Sequence, residues 1–477
     1  MSTVRSIIWF RQDLRIEDNP ALEAAILAGP VLPIYILDDN SAGCWKMGAA
    51  SRWWLHHSLT KLNDRLNGNL SVFKGEPCAI LKRLTKENNI QKVFWNRCYE
   101  PWRTARDAIL KKDLEGTGLE VKSFNGSLLW EPWDILKADD TPYKVFTPFY
   151  KRAVATDFSQ ASPQNYLAKL KTITYLQSEN RINSLGLLPK NNWHDSLSNK
   201  WCPGEIGGKH VLEEFLKNRI TNYKSGRDYP ALNAVSRISP HLHFGELSAR
   251  KIWEELKTSA LHPKIDSQIE HFQRELVWRE FSYSLLFHFP SITEKNMNEK
   301  FNLFPWEKNK DLLTKWQRGQ TGFPLIDAGM RELWQTGYMH NRVRMIVASF
   351  LVKNLLIHWK DGAQWFWDCL VDADLASNTC SWQWVAGCGV DAAPYFRIFN
   401  PVTQSLKFDA HADYIKTYVP ELENCPIKFI HDPSSAPDDS LEDVGIKLGA
   451  DYPRAIVDLK LTRAKALEAY KNMRQEM

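Results

Sequence analysis

The chain has 477 residues, too many for one hydrophobic core and enough for two or three domains. Hydrophobic residues make up 44% and charged residues 25%, which excludes a disordered chain, and no run of 18 apolar residues offers a membrane span. A formal net charge of +5 permits nucleic acid as a partner without requiring it.

The start, MSTVRSIIWFRQDLR, sets Arg5, Arg11, Asp13 and Arg15 around a brief apolar run, so it does not read as a secretory signal. Strand-like runs follow at SIIWF (6–10), VLPIYIL (31–37), LSVFKG (70–75), KVFWN (92–96) and LEVKSF (119–124). Helical patterns lie between them, for example at 49–66 and 76–88. This alternation predicts an α/β domain with a doubly wound parallel sheet. Its first loop, FRQDLRIEDNP, lacks the G-x-G-x-x-G of dinucleotide folds, which argues against NAD there. From about 130 to 200 the text is irregular, with Pro132, Pro142, Pro148, Pro163 and Pro189, and reads as an interdomain connection. After Trp201 the pattern is helical, in runs such as 207–224, 249–257, 268–289 and 341–359. The expected organisation is therefore 1–130 α/β, 131–200 connecting, and 201–477 mainly α-helical.

Two patterns invite over-reading. GEIGGKH (204–210) resembles a phosphate loop, but Pro203 stands where its first glycine belongs and His210 replaces Ser or Thr, so a helix start is predicted. The pairs His56/His57 and His241/His243 have no third ligand at metal-site spacing, and no metal is expected. The eight cysteines contain no C-x-x-C pair, as in a reducing, cytoplasmic protein.

Four later stretches carry chemistry. YPALNAVSRISPHLHFGELS (229–248) sets Ser236, Arg237 and Ser239 before a proline, where hydroxyls and exposed backbone N–H groups suit a phosphate. RELVWREFS places Glu275, Trp278, Arg279 and Ser282 on one helical face; an indole between an acid and a guanidinium is unlike a solvated salt-bridge face. MHNRVRMIVASF puts Asn341 and Met345 on one face, flanked by Arg342 and Arg344. In DADLASNTCSWQW (372–384), taken as helical, Asp374, Asn378 and Trp382 recur at i, i+4 and i+8, and Trp382 and Trp384 face different neighbours. Twenty tryptophans in the chain, several beside carboxylates, suggest a large polar aromatic guest.

These residues resemble the photolyase/cryptochrome family over nearly the full length. The matching runs are WFRQDLRIEDNPAL, SRISPHLHFGELS, ELVWREFS, TGFPLIDAGMRELWQTGYMHNRVRMIVASFL and DADLASNTCSWQWVAGCGVDAAPYFRIFNP, with Gln404 beyond. The resemblance implies an α/β antenna domain and a helical domain burying FAD. The implied activity is that of a deoxyribodipyrimidine photo-lyase, light-driven repair of cyclobutane pyrimidine dimers in UV-damaged DNA. It implies that Tyr223, Val235, Ser236, Arg237, Ile238 and Ser239 hold the flavin phosphates, and that Asp372, Ala373 and Asp374 line its sugar and ring. Asn378 would face flavin N5, and Arg344 beside Asp372 would favour the anionic reduced form. Trp382, Trp359 and Trp306 would form an electron path. Glu275, Trp278, Asn341, Met345 and Trp384 would line the pocket for a flipped dimer, with Arg279, Arg342, Arg397 and Gln404 among the DNA contacts.

A second antenna chromophore is expected. Folate-binding relatives carry a glutamate on the helix after the fourth strand, where this chain has Ile109 with Asp107 nearby. GAASRWWLHHSL resembles a bacterial branch whose folate, methenyltetrahydrofolate, is held differently; a deazaflavin is the alternative. The rival within the family is a cryptochrome, a blue-light photoreceptor. Plant-type sensors carry Asp, and animal-type sensors Cys, in place of Asn378, and sensors often append a disordered tail, whereas this chain closes on a helix-like segment. A monomer, without membrane or metal partners, is expected.

Overall fold

The computed structural model describes residues 4–158, 166–175, 181–189, 191–259, 266–391 and 396–475. Pro163 and residues 392–395 of the DADLASN…FNP run lie outside the described residues. The contacts divide the chain into two compact units that interleave along it. The first comprises 1–221, 236–290 and 371–376; the second comprises 222–235, 291–370 and 377–477. The sequence reading drew its boundaries at 130/131 and 200/201 instead.

The first unit holds five strands: β1 (Ser6–Phe10), β2 (Val31–Leu37), β3 (Ser71–Lys74), β4 (Lys92–Asn96) and β5 (Glu120–Phe124). All pair in parallel, in the order β3-β2-β1-β4-β5, the doubly wound sheet that the alternation predicts. β1 and β2 are buried along their whole lengths, as strands covered on both faces must be, which is why they read as continuous apolar runs. Pro33 sits inside β2 because β3 pairing starts only at Ile34, so no ladder needs the missing N–H. Helices Pro20–Ala28, Ala49–Arg65, Pro77–Glu87 and Pro101–Glu115 fill the crossovers.

The loop after β1 is fixed by side-chain hydrogen bonds. Asp13 accepts the Arg11 backbone N–H (2.6 Å) and the Asn96 amide (2.6 Å), while Asn19 caps helix Pro20–Ala28 through the Leu22 N–H (3.1 Å). The Arg15 guanidinium reaches the carbonyls of Asp18, Gly126 (both 2.7 Å) and Gly245 (2.8 Å), tying distant segments of the unit to the loop. GEIGGKH starts a helix, Glu205–Glu214, with Gly204 at φ 107°, and Glu205 accepts the Ile16 N–H (3.1 Å). His241 is buried against Glu246 (2.5 Å), which also holds the Trp54 indole (2.9 Å).

The second unit is helical. Its core is built on Pro324–Thr336, Asn341–Ser349, Trp359–Cys369 and most of Leu375–Ala386, with Leu459–Gln475 near the chain end. The single helix expected over 341–359 is interrupted: Phe350–Asn354 forms a π-helical turn, Leu356 is left-handed (φ 55°), and a new helix starts at Trp359. The apolar pattern continues through the break, so periodicity could not reveal it. The run at 207–224 breaks likewise, at a π-turn over Phe215–Arg219 in the first unit. No helix among the described residues is long and apolar enough to cross a membrane.

Candidate functional site

In the first unit, the carboxylates of 372–374 lie before a helix, not within one. The helix spans Leu375–Ala386, so Asp372, Ala373 and Asp374 form the turn leading into it, and the expected face of Asp374, Asn378 and Trp382 starts only at Asn378. Acids at this position favour the unpaired N–H groups and positive end of the helix. Asp372 accepts the Ser239 hydroxyl (2.7 Å), and Asp374 accepts the Tyr283 hydroxyl (2.5 Å) with His243 Nδ1 3.7 Å away. Burial, reinforced by the Asp374 charge, pushes the Tyr283 phenol well above its ordinary pKa, so it stays a donor to Asp374. Arg237, between Ser236 and Ser239, is left-handed at φ 57°, which turns the backbone sharply there.

Helix Asp266–His288 carries the second group of expected residues. The Trp278 indole stacks flat on Phe146, with ring centroids 3.6 Å apart and planes within 6°, so one of its faces is covered. Glu275 lies one turn earlier, half-buried. The Arg279 guanidinium bonds the neighbouring Glu280 (2.8 Å) and lies over the Tyr283 ring (5.0 Å). Glu280 also accepts the N–H groups of Leu129 (2.8 Å) and Trp130 (3.4 Å). Burial pushes its carboxyl up to about 7 against the pull of these partners.

In the second unit, Asn378 is buried and its amide donates to the Ala363 carbonyl (3.0 Å), leaving the amide oxygen to accept. Trp382 is sealed against Phe366 (5.0 Å) and Trp316 (6.2 Å), and its ring lies where a Cβ at Gly362 would stand. Gly362 is on the first turn of the helix that Trp359 opens. The Trp359 indole donates to Asn296 (2.8 Å), and its ring is 5.5 Å from His358, which is 4.9 Å from Trp306. Burial falls along this row, from Trp382 and Trp359, both sealed, to Trp306, which is half-exposed. Trp384 points elsewhere, as expected, donating to the Asp391 carbonyl (3.0 Å).

Asn341 and Met345 share helix Asn341–Ser349, Asn341 exposed and Met345 half-buried. Arg342 pairs with Asp228 (2.7 Å) and lies over Phe408 (4.4 Å), while Arg344 donates to the Met339 carbonyl (2.7 Å). His340 caps this helix: its ring accepts the Arg342 N–H (3.2 Å), and its backbone N–H donates to buried Glu332 (3.2 Å). Tyr223 is buried with Arg227 over its ring (5.3 Å), Arg397 is exposed, and Gln404 is half-exposed on helix Pro401–Phe408.

Sequence reasoning missed Phe146, His358, Phe366, Trp316 and Tyr283. Phe146 stands in the irregular stretch, 132 positions from Trp278, and no local pattern links them. Tyr283 was within reach, four residues after Arg279 on the same helix.

Family models match two segments: DNA photolyase over residues 6–166, and the FAD binding domain of DNA photolyase over 272–472. The chain is 46% identical to the deoxyribodipyrimidine photo-lyase of Agrobacterium fabrum, covering 98% of each, and 35% identical to cryptochrome-1 of Arabidopsis thaliana, covering 98% of this chain and 70% of that one. The solved structure of a bacterial class III photolyase from Agrobacterium tumefaciens superposes with a TM-score of 0.94 at 45% identity, covering 100% of this chain and 98% of that one. Full-length identity at this level, over a matching doubly wound sheet and helical unit, places the chain in the DNA photolyase family.

Proposed function

We propose that this protein is a deoxyribodipyrimidine photo-lyase that repairs cyclobutane pyrimidine dimers in UV-damaged DNA, using light and FAD. The observation that carries the reading is the burial gradient over three indoles, from sealed Trp382 and Trp359 to half-exposed Trp306, which meets Trp359 through His358, with a buried Asn378 one turn before Trp382. A structural aromatic core needs no such burial gradient and no buried amide with an acceptor to spare.

The donor set fits a flavin dinucleotide. Tyr223, Val235, Ser236, Arg237, Ile238 and Ser239 offer hydroxyls, backbone N–H groups and a guanidinium for phosphates. Asp372, Ala373 and Asp374 offer acceptors for sugar hydroxyls and a ring N–H, and Arg344 a positive charge. When bound and reduced, FAD supplies the electron that light drives into the dimer and recovers it after the cyclobutane ring opens. The Asn378 amide can present donor or acceptor as the neighbouring ring changes its need, without titrating. Trp278 and Trp384 offer ring faces to the pyrimidines, Asn341 and Met345 an amide and a thioether, and Glu275 a carboxyl for charge growing on a pyrimidine carbonyl. Arg279, Arg342, Arg397 and Gln404 are assigned to DNA binding, acting as a monomer in the cytoplasm.

A second chromophore, a folate or a deazaflavin, is assigned to the α/β domain at 1–130. Asp107 is paired with Arg11 and Arg106, which speaks against it as the anchor; Ile109 is exposed. Residues 131–200 are read as the connection, and 201–477 as the FAD and DNA domain. The test is purification followed by illumination with a dimer-containing oligonucleotide. Yellow, FAD-loaded protein that restores the pyrimidines in light supports repair. FAD-loaded protein that photoreduces without repairing supports a cryptochrome-type sensor, and protein that cannot be loaded with FAD removes both.

A further inference from the structure

One buried charge in the second unit has no role in the reading above. Lys353 lies in the π-turn Phe350–Asn354, only 1% exposed, with its ammonium 3.2 Å from the centroid of the Phe396 ring. Among the described residues no carboxylate pairs with it and no acceptor takes any of its three N–H donors. A buried cation left this way is costly, and such groups are met by an ion or water where space allows. Space is present: Lys353 opens onto a cavity of about 30 Å³, lined also by Trp384, Gly387, Phe396, Arg397 and Tyr470.

We propose that this cavity is a binding site for a small monovalent inorganic anion of the halide class, held by Lys353 with Arg397 beside it. The volume admits one or two water-sized species, which suits chloride. A DNA phosphate is excluded at Lys353 by its burial. No carboxylate is among the residues that line the cavity. Of the titratable groups around the amine, Arg397 and Tyr470 line the cavity. The Cys388 thiol is held neutral by burial, which raises it to about 12. Helices Asn341–Ser349, Trp359–Cys369 and Leu459–Gln475 pack on the π-turn; of their charged groups, Arg342, Arg344, Lys360, Asp361, Asp368, Lys460, Arg463, Lys465, Glu468, Lys471 and Arg474, none lines the cavity. Burial lowers the Lys353 ammonium to about 7, so the anion and a proton enter together and the site empties as pH rises through that value. The lining lies within the second unit and shares Trp384 and Arg397 with the dimer and DNA residues assigned above, while the test below reads anion binding and not repair.

The experiment uses full-length flavoprotein at constant ionic strength, with gluconate replaced stepwise by chloride. The melting temperature is expected to rise saturably, on the order of 1–3 °C, at pH 6 and to respond much less at pH 9. Lys353→Met should abolish the response. Crystals soaked in bromide should show an anomalous-scattering peak within hydrogen-bond distance of Lys353 Nζ. Equal melting in chloride and gluconate, a bromide map without that peak, or an unchanged chloride response in Lys353→Met each overturns the site. Should the variant not fold, the wild-type titration and the bromide map decide it.

Discussion

Trp306 differs from Trp359 and Trp382 in one respect that sets its role: it is the indole of the row that reaches solvent. Trp306→Phe is therefore expected to slow light-driven reduction of the oxidised flavin at least tenfold, while repair by chemically reduced enzyme stays at the wild-type rate. Equal loss of both would make Trp306 structural. Trp278 and Arg342 divide the work of binding differently. Removing a stacked base contact with Trp278→Ala should cost roughly 1–3 kcal/mol of preference for damaged over intact DNA. Arg342→Ala should weaken binding to both alike and lower the salt slope by about one unit, provided the arginine exchanges Asp228 for a phosphate. Salt titrations on damaged and intact oligonucleotides separate the two. Glu280 makes a pH prediction. Its folded-state pKa is raised to about 7, above its ordinary 4.5, so between these values the native protein binds more protons than the unfolded chain. Stability contributed by this carboxyl is thus full below 4.5 and declines as pH rises to 7; Glu280→Gln should flatten that slope in denaturant melts. At this scale the sequence is a good guide to residue type and a poor guide to partner. It singled out Trp278 and Asp374 but not Phe146 and Tyr283, because stacking and hydrogen bonding join positions that no local period connects.

Elements were legible where their period is strict. All five strand-like runs contain their strands within one residue at each end, since buried parallel strands are short apolar runs bounded by turns; at 31–37 even the internal proline did not obscure the strand. The break at 350–356 was invisible, because a π-turn adds a residue to the helix without interrupting its apolar text. That break has a role, for it starts a fresh helix at Trp359 and brings Gly362 flat against Trp382. Gly362→Ala should consequently cost about 1–3 kcal/mol in urea melts through overpacking, and slow photoreduction by displacing the indole. Gly245 is held more tightly: its φ is +65°, and a Cβ there would overlap the Gln12 carbonyl in the loop after β1. Gly245→Ala is expected to destabilise the first unit more than Gly362→Ala does the second, because backbone cannot swing aside as a ring can.

For the whole molecule, the choice of lesion follows from what the candidate dimer residues cannot do. Repair of a (6-4) photoproduct requires a proton to be moved, and Asn341 and Met345 offer an amide and a thioether in place of imidazoles. The neighbouring His340 is fixed as a helix cap. Reduced, illuminated enzyme should restore a cyclobutane-dimer oligonucleotide and leave the (6-4) one at least a hundredfold slower; comparable rates would overturn the assignment. Fold class was readable at this scale, whereas the division into units was not, since compactness is decided by contacts between segments far apart in the text. One consequence concerns synthesis. Residues 371–376 complete the first unit, yet an unbroken stretch of eighty residues of the second is made just before them. While the ribosome is still working through those eighty, Ser239 and Tyr283 wait without Asp372 and Asp374, their partners in the finished protein. A fragment stopped at residue 290 would keep the whole sheet and still lack the six residues that finish its unit, so a gene cut there yields a half whose last piece lies in the other half.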